Sequence, residues 1–179
     1  MAVDPRPLFL HGHDVDPASL RELTEALGAE LLPGPLVLGD GPGRAWFEPG
    51  EPAGDACALV RASTGVVGRT LIGYSQGAAL AFALACDGDS PPDSVVCVAG
   101  FVADDVDPSC FAALRLLVAH SDDDEVVDSF YAGLLARNAA NAGAAVVQVS
   151  YDGGHIWTDE VTEIVREWLA GAESATELT

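Results

Sequence analysis

The amino-acid sequence predicts an α/β fold with about six strands in a mainly parallel sheet and helices on both faces. Three observations carry that prediction. Short runs that are apolar at nearly every position, such as "PLFL", "TLI", "SVVCVA" and "LRLLVA", recur along the chain. Between them lie stretches with the 3.6-residue period of amphipathic helices. Gly, Pro and Asp sit at the joins between the two kinds of segment. A strand that is apolar on both faces has to be covered on both, and a parallel sheet between two helical layers does that.

The elements follow in order. Residues 7–12, "PLFLHG", form a buried strand ending in a glycine turn. Asp16-Pro17 is a cap and first-turn pair for a helix over "ASLRELTEALG", with Leu20, Leu23 and Leu27 on one face and Gly28 as its stop. A weaker strand, "PLVL" at 35–38, leads into a Gly/Pro-rich loop over 39–55, the candidate for a mobile flap. Helical "ACALVRAS" precedes the strand "RTLIG" and the helix "QGAALAFALA". The pattern continues as strand "SVVCVAG", strand "LRLLVAHS", helix "DSFYAGLLARNAANAG", strand "AAVVQVSY" and a closing helix over about 158–170. With 179 residues and neither repeat nor linker, the chain reads as one domain over 1–179, its core at about 7–170 and a flexible tail at 171–179.

Composition excludes several functions. There are 28 acidic and 8 basic residues, every basic one an arginine, for a formal net charge of −20. Such a field repels nucleic acid, anionic lipid and phosphate-rich ligands, and favours neutral or cationic ones. It suits a high-salt habitat and a merely acidic background alike. No segment has the roughly 18 consecutive apolar residues of a membrane span, and no basic-then-apolar leader opens the chain. The expectation is a cytoplasmic protein without a membrane or nucleic-acid partner, monomeric or homodimeric. Cys57, Cys86, Cys97 and Cys110 are far apart and make no C-x-x-C, so they read as small core residues. No metal and no cofactor is implied.

In open parallel sheets, ligand chemistry sits in the loops beyond the carboxyl ends of the strands. Those loops are 11–16, 40–47, 74–77, 100–105, 120–128 and 151–157. One of them contains "GYSQG" at 73–77, a Gly-x-Ser-x-Gly between a strand and a helix, which is the context of a nucleophile elbow. There the serine occupies a sharp strained turn, and side chains at Gly73 and Gly77 would collide with strand and helix. Ser75 is the candidate nucleophile, standing at a helix N-terminus that favours developing negative charge. A serine hydroxyl needs a base to take its proton and a carboxylate to orient that base. Of the two later histidines, His120 and His155, the second follows the last strand in "YDGGHIW" and reaches the right face. The acid comes from "AHSDDDEVVDSF", where spacing leaves Asp122, Asp123, Asp124, Glu125 and Asp128 open.

The ordered segments "LFLHGHDVD", "RAWFEP", "IGYSQGAALAFALA", "VAHSDDDEVVD" and "YDGGH" resemble the phospholipase/carboxylesterase branch of the α/β-hydrolase family, which includes acyl-protein thioesterases. The likeness runs from about residue 7 to 169. It implies a minimal α/β-hydrolase fold without a lid domain and without the two antiparallel edge strands of the full fold. It selects Asp124 as the acid, giving a Ser75, Asp124, His155 triad. It implies an oxyanion hole made by the backbone N–H groups of His13 and Gln76, with Trp46, Phe47 and Tyr74 as candidate substrate-lining residues. The implied activity is that of a serine hydrolase cleaving carboxylic esters or thioesters of small, neutral, short-acyl substrates. Two loops depart from the family's pattern: the first has His13-Asp14-Val15 after His-Gly where the family is glycine-rich, and the acid loop has Ser121 and Glu125 where glycine and proline are common. The alternatives are a non-catalytic binding protein on the same fold, an acyl-protein thioesterase and a dienelactone-type hydrolase, although the last would place cysteine at the elbow.

Overall fold

A computed structural model describes residues 5–87, 91–103 and 106–176. Its main sheet has six strands, β1 (Leu8–Leu10), β2 (Glu30–Leu32), β5 (Thr70–Tyr74), β6 (Ser94–Val98), β7 (Arg115–Ser121) and β8 (Ala145–Tyr151), in the order β2-β1-β5-β6-β7-β8. Every neighbouring pair in it is parallel. A separate antiparallel pair joins β3 (Leu36–Val37) to β4 (Arg44–Ala45).

Alternation along the strands builds two cores. Leu8, Leu10, Leu71, Val95, Cys97, Leu116 and Val118 point to one face, where α2 (Gly54–Ser63), α3 (Gln76–Cys86) and α4 (Ser129–Ala142) cover them. Phe9, Ile72, Val96, Val98, Leu117 and Ala119 point to the other, against the end of α1 (Arg21–Ala26) and against α5 (Asp159–Thr176). Successive Cβ atoms of a strand project to opposite sides, which is why the central strands carry consecutive apolar residues, one for each core.

Several expectations change. The second sheet strand is "ELL", not "PLVL": the latter pairs with β4 as a small hairpin. Glu30 hid the true strand, because its charge breaks the apolar run while its carboxylate is satisfied by Arg69 at 2.8 Å. The first helix splits into a 3-10 turn over Pro17–Leu20, capped by Asp16, and the short α1. The 39–55 loop is not a free flap, since β4 and the buried Trp46 anchor its middle. The closing helix continues past 170 to Thr176, and residues 177–179 lie outside the described ones. Asp104 and Asp105, in one of the candidate loops, lie outside them too. Cys86 and Cys110 form a disulfide between the end of α3 and the 3-10 turn Pro108–Phe111, so only Cys57 and Cys97 are the buried, unbridged core residues expected of all four. Apolar flanks cannot distinguish a packed thiol from a bridged one; proximity does. Among the described residues no helix is long and apolar enough to cross a membrane.

Candidate active site

Chain direction across the sheet reverses at β1: β2 lies on one side of it, and β5 to β8 on the other. The crevice at that switch point lies at the carboxyl ends of β1 and β5. Gly12 follows the first and Ser75 the second.

Ser75 has φ 53° and ψ −118°, a backbone conformation that non-glycine residues rarely adopt. Such strain costs about 1–3 kcal/mol and persists only where the surroundings enforce it. They do so here. The Ser75 N–H donates to the carbonyl of Val98 at 3.0 Å, and its own carbonyl accepts the N–H of Ala78 at 2.9 Å. A Cβ at Gly73 would strike the backbone of Ala78, and one at Gly77 would overlap the carbonyl of Leu10. Only glycine lets strand and helix approach this closely, so the sharp turn lifts Ser75 above the sheet edge.

Two loops bring the other polar groups to it. His155 Nε2 lies 2.9 Å from Ser75 Oγ, and His155 Nδ1 lies 2.8 Å from Asp124 Oδ2. A carboxylate can only accept, so Nδ1 carries the proton and Nε2 presents its lone pair to the hydroxyl. The other oxygen of Asp124 accepts the N–H groups of Val126 at 2.9 Å and Val127 at 2.8 Å. Burial pushes the Asp124 carboxyl up, but the Val127 N–H, the His155 imidazole and the Val126 N–H together outweigh it and hold the group below the usual carboxylate range. Asp122, Asp123 and Glu125 are exposed, and Asp128 caps α4 through the N–H of Phe130.

Supporting contacts tie the loops together. The Ser121 hydroxyl accepts the N–H of Gly154 at 3.0 Å, linking the acid loop to the histidine loop. Tyr74, expected as a lining residue, donates its hydroxyl to the carbonyl of His155 at 2.8 Å. His120 lies beneath the acid loop, where Nε2 donates to the carbonyl of Val127 at 2.9 Å; its Nδ1 is buried with no partner among the described residues. Sequence reasoning missed the roles of Ser121 and of the Gln76 side chain. The one available signal was a hydroxyl at a strand end where glycine was expected.

His13 and Asp14 are exposed on the loop after β1. The Asp14 carboxylate leans over Gly43 at the tip of the β3–β4 hairpin, where a Cβ would overlap it. The N–H of Gln76 is at the first position of α3, where no carbonyl one turn earlier exists to receive it. Trp46 is only 2% exposed, so it is an anchor first. With Phe47 it bounds a cleft of about 440 Å³ whose other lining residues include Leu36, Pro52, Glu48, Glu51 and Asp55, and none of Ser75, Asp124 and His155 lines it.

Comparison with solved structures identifies this architecture. A carboxylesterase from Mesorhizobium loti is similar at 27% identity and a TM-score of 0.77, over 94% of this chain and 90% of that one. Esterase PE8 is 21% identical with a TM-score of 0.74, over 95% of this chain and 93% of the other. The Bacillus cereus carboxylesterase is 23% identical with a TM-score of 0.72, over 94% and 89%. No protein-family model and no curated protein sequence matches the chain. The fold is therefore the α/β-hydrolase fold. Within it, the structural likeness runs to carboxylesterases and esterases, the branch that the ordered sequence motifs resemble.

Proposed function

We propose that this protein is a carboxylesterase-type serine hydrolase that cleaves esters or thioesters of small, neutral, short-acyl substrates through an acyl-enzyme. The observation that carries the reading is the continuous chain from Ser75 Oγ through His155 to Asp124, with both hydrogen bonds under 3.0 Å. The similarity to a carboxylesterase over nearly the whole chain supports the reaction class.

Ser75 Oγ attacks the acyl carbonyl carbon as its proton passes to His155 Nε2. Asp124 holds the imidazole in the tautomer that can accept that proton and stabilises the imidazolium that results. The N–H groups of His13 and Gln76 receive the oxyanion. As the tetrahedral adduct collapses, the alcohol or thiol leaves with the proton from Nε2. Water then attacks the acyl-enzyme, giving its proton to Nε2, and the acid departs as Ser75 recovers its hydrogen. The net charge of −20 disfavours anionic substrates.

The test is hydrolysis of p-nitrophenyl esters of graded chain length, together with labelling by a fluorophosphonate. Activity and labelling are expected in the wild type, best with short acyl groups, and both should vanish in Ser75→Ala. A wild-type protein that neither turns over esters nor takes the label would instead be a binding protein on this fold.

A further inference from the structure

We propose that His11, Trp46 and Gln76 form a hydrogen-bonded brace that aims the N–H of His13 at the reacting oxygen, making their side chains positioning residues; this rests on the hydrolase reading above.

The brace begins at the end of β1. The His11 ring is fully buried, and its Nε2 accepts the N–H of Gly34 at 2.8 Å. A ring nitrogen that accepts carries no proton, so in the neutral imidazole Nδ1 carries it. That Nδ1–H donates to the carbonyl of Gly12 at 2.7 Å. Peptide bonds here are trans and planar, so the C=O of Gly12 and the N–H of His13 point in opposite directions. Holding the carbonyl toward the buried ring turns the N–H of His13 away from it. Burial pushes the His11 imidazole down, the Gly12 carbonyl opposes and the charge of Arg44 adds, and the net lowering favours the neutral ring this geometry needs.

The same residue is held from its other side. Trp46 Nε1–H donates to the carbonyl of His11 at 2.9 Å, and the two rings lie 5.1 Å apart. Trp46 is in turn clamped by the Gln76 side chain. Its main-chain N–H donates to Gln76 Oε1 at 3.0 Å, and Gln76 Nε2 donates to the carbonyl of Phe47 at 2.7 Å. Gln76 thus offers one N–H through its backbone and, through its side chain, secures the loop that offers the other. Without the brace the exposed residues His13 and Asp14 would depend on the bridge between Val15 and Arg44 farther along. Oxyanion donors act only within a few tenths of an ångström of their ideal distance, and a displacement of about 1 Å costs on the order of 100-fold in rate.

Trp46→Phe removes the indole N–H and keeps an aromatic ring; Gln76→Leu removes the clamp at similar volume. Each is expected to lower kcat by about 10- to 100-fold with KM and the midpoint of the pH profile unchanged. Affinity for an alkylboronic acid, whose adduct with Ser75 puts an oxygen where the oxyanion forms, should fall by the same factor. The double variant should lose little more than the worse single one, because both break one chain of contacts. If Trp46→Phe does not fold, Gln76→Leu carries the test alone. A kcat per fluorophosphonate-titrated site within about 2-fold of wild type in the variants that fold, or losses that multiply in the double variant, overturns the brace. A wild type without ester turnover sinks the hydrolase reading, and the brace with it.

Discussion

The acid loop shows how one residue is singled out from near-identical neighbours. Asp122, Asp123 and Asp124 are the same side chain in consecutive positions, but only the third is buried and receives two main-chain N–H groups. Those donors stabilise the charged carboxylate, which in turn fixes the imidazole. Asp124→Asn should therefore lower kcat by about 10³- to 10⁴-fold, because the amide favours the wrong tautomer of His155. Asp122→Asn and Asp123→Asn should retain wild-type kcat in the same assay. The depressed Asp124 carboxyl also has a folding consequence. Its folded value lies below the unfolded one, so its contribution is present above the ordinary carboxylate range and is lost as pH falls through the folded value. Urea titrations at successively lower pH should show the stability difference between wild type and Asp124→Asn shifting in favour of the variant.

The strands and helices place these residues, and β2 is one of the two edge strands of the main sheet. It is a three-residue edge strand, parallel to β1 and short of apolar burial. Arg69, whose side chain is inaccessible to solvent, compensates. It meets Glu30 at 2.8 Å and donates further to the carbonyls of Arg6 and Gly65 and to the hydroxyl of Thr64. Removing one partner leaves unpaired polar groups at the base of the sheet. Arg69→Ala should cost about 3–5 kcal/mol in urea unfolding, towards the lower figure because Glu30 retains some contact with water. On this account the elbow could be read from sequence because its pattern spans five consecutive residues, although the carbonyl that requires glycine at 77 belongs to Leu10. The position of β2 could not, because a charged residue in a strand is explained only by a partner 39 positions away.

Across the whole molecule, a bridge joins Cys86 and Cys110 over a separation of 24 residues and pins the end of α3 to the turn before β7. Cross-links of this span stabilise by about 2–4 kcal/mol, chiefly by restricting the unfolded chain. The remaining thiols are buried, and burial pushes Cys97 up to about 12, which makes it a poor nucleophile. The native oxidised protein should accordingly react negligibly with a thiol reagent. Unfolded without reductant it should show two thiols per chain, and after reduction four. Four without reductant would mean that the bridge does not form.

By itself, the sequence determined the alternation of buried strands with covering helices, the elbow at 73–77 and the order of the candidate polar residues. These are written in continuous apolar runs, in the 3.6-residue period of the helices and in a motif confined to neighbouring positions. The tertiary structure decided that Asp124, left open by spacing and selected by the likeness, faces His155, where the second strand lies, that two cysteines meet, and that Gln76 grips the loop around Trp46. Each of these depends on groups brought together across 24 to 39 residues of chain, and hydrogen bonds, ion pairs and disulfides form by distance in space, which no local pattern encodes.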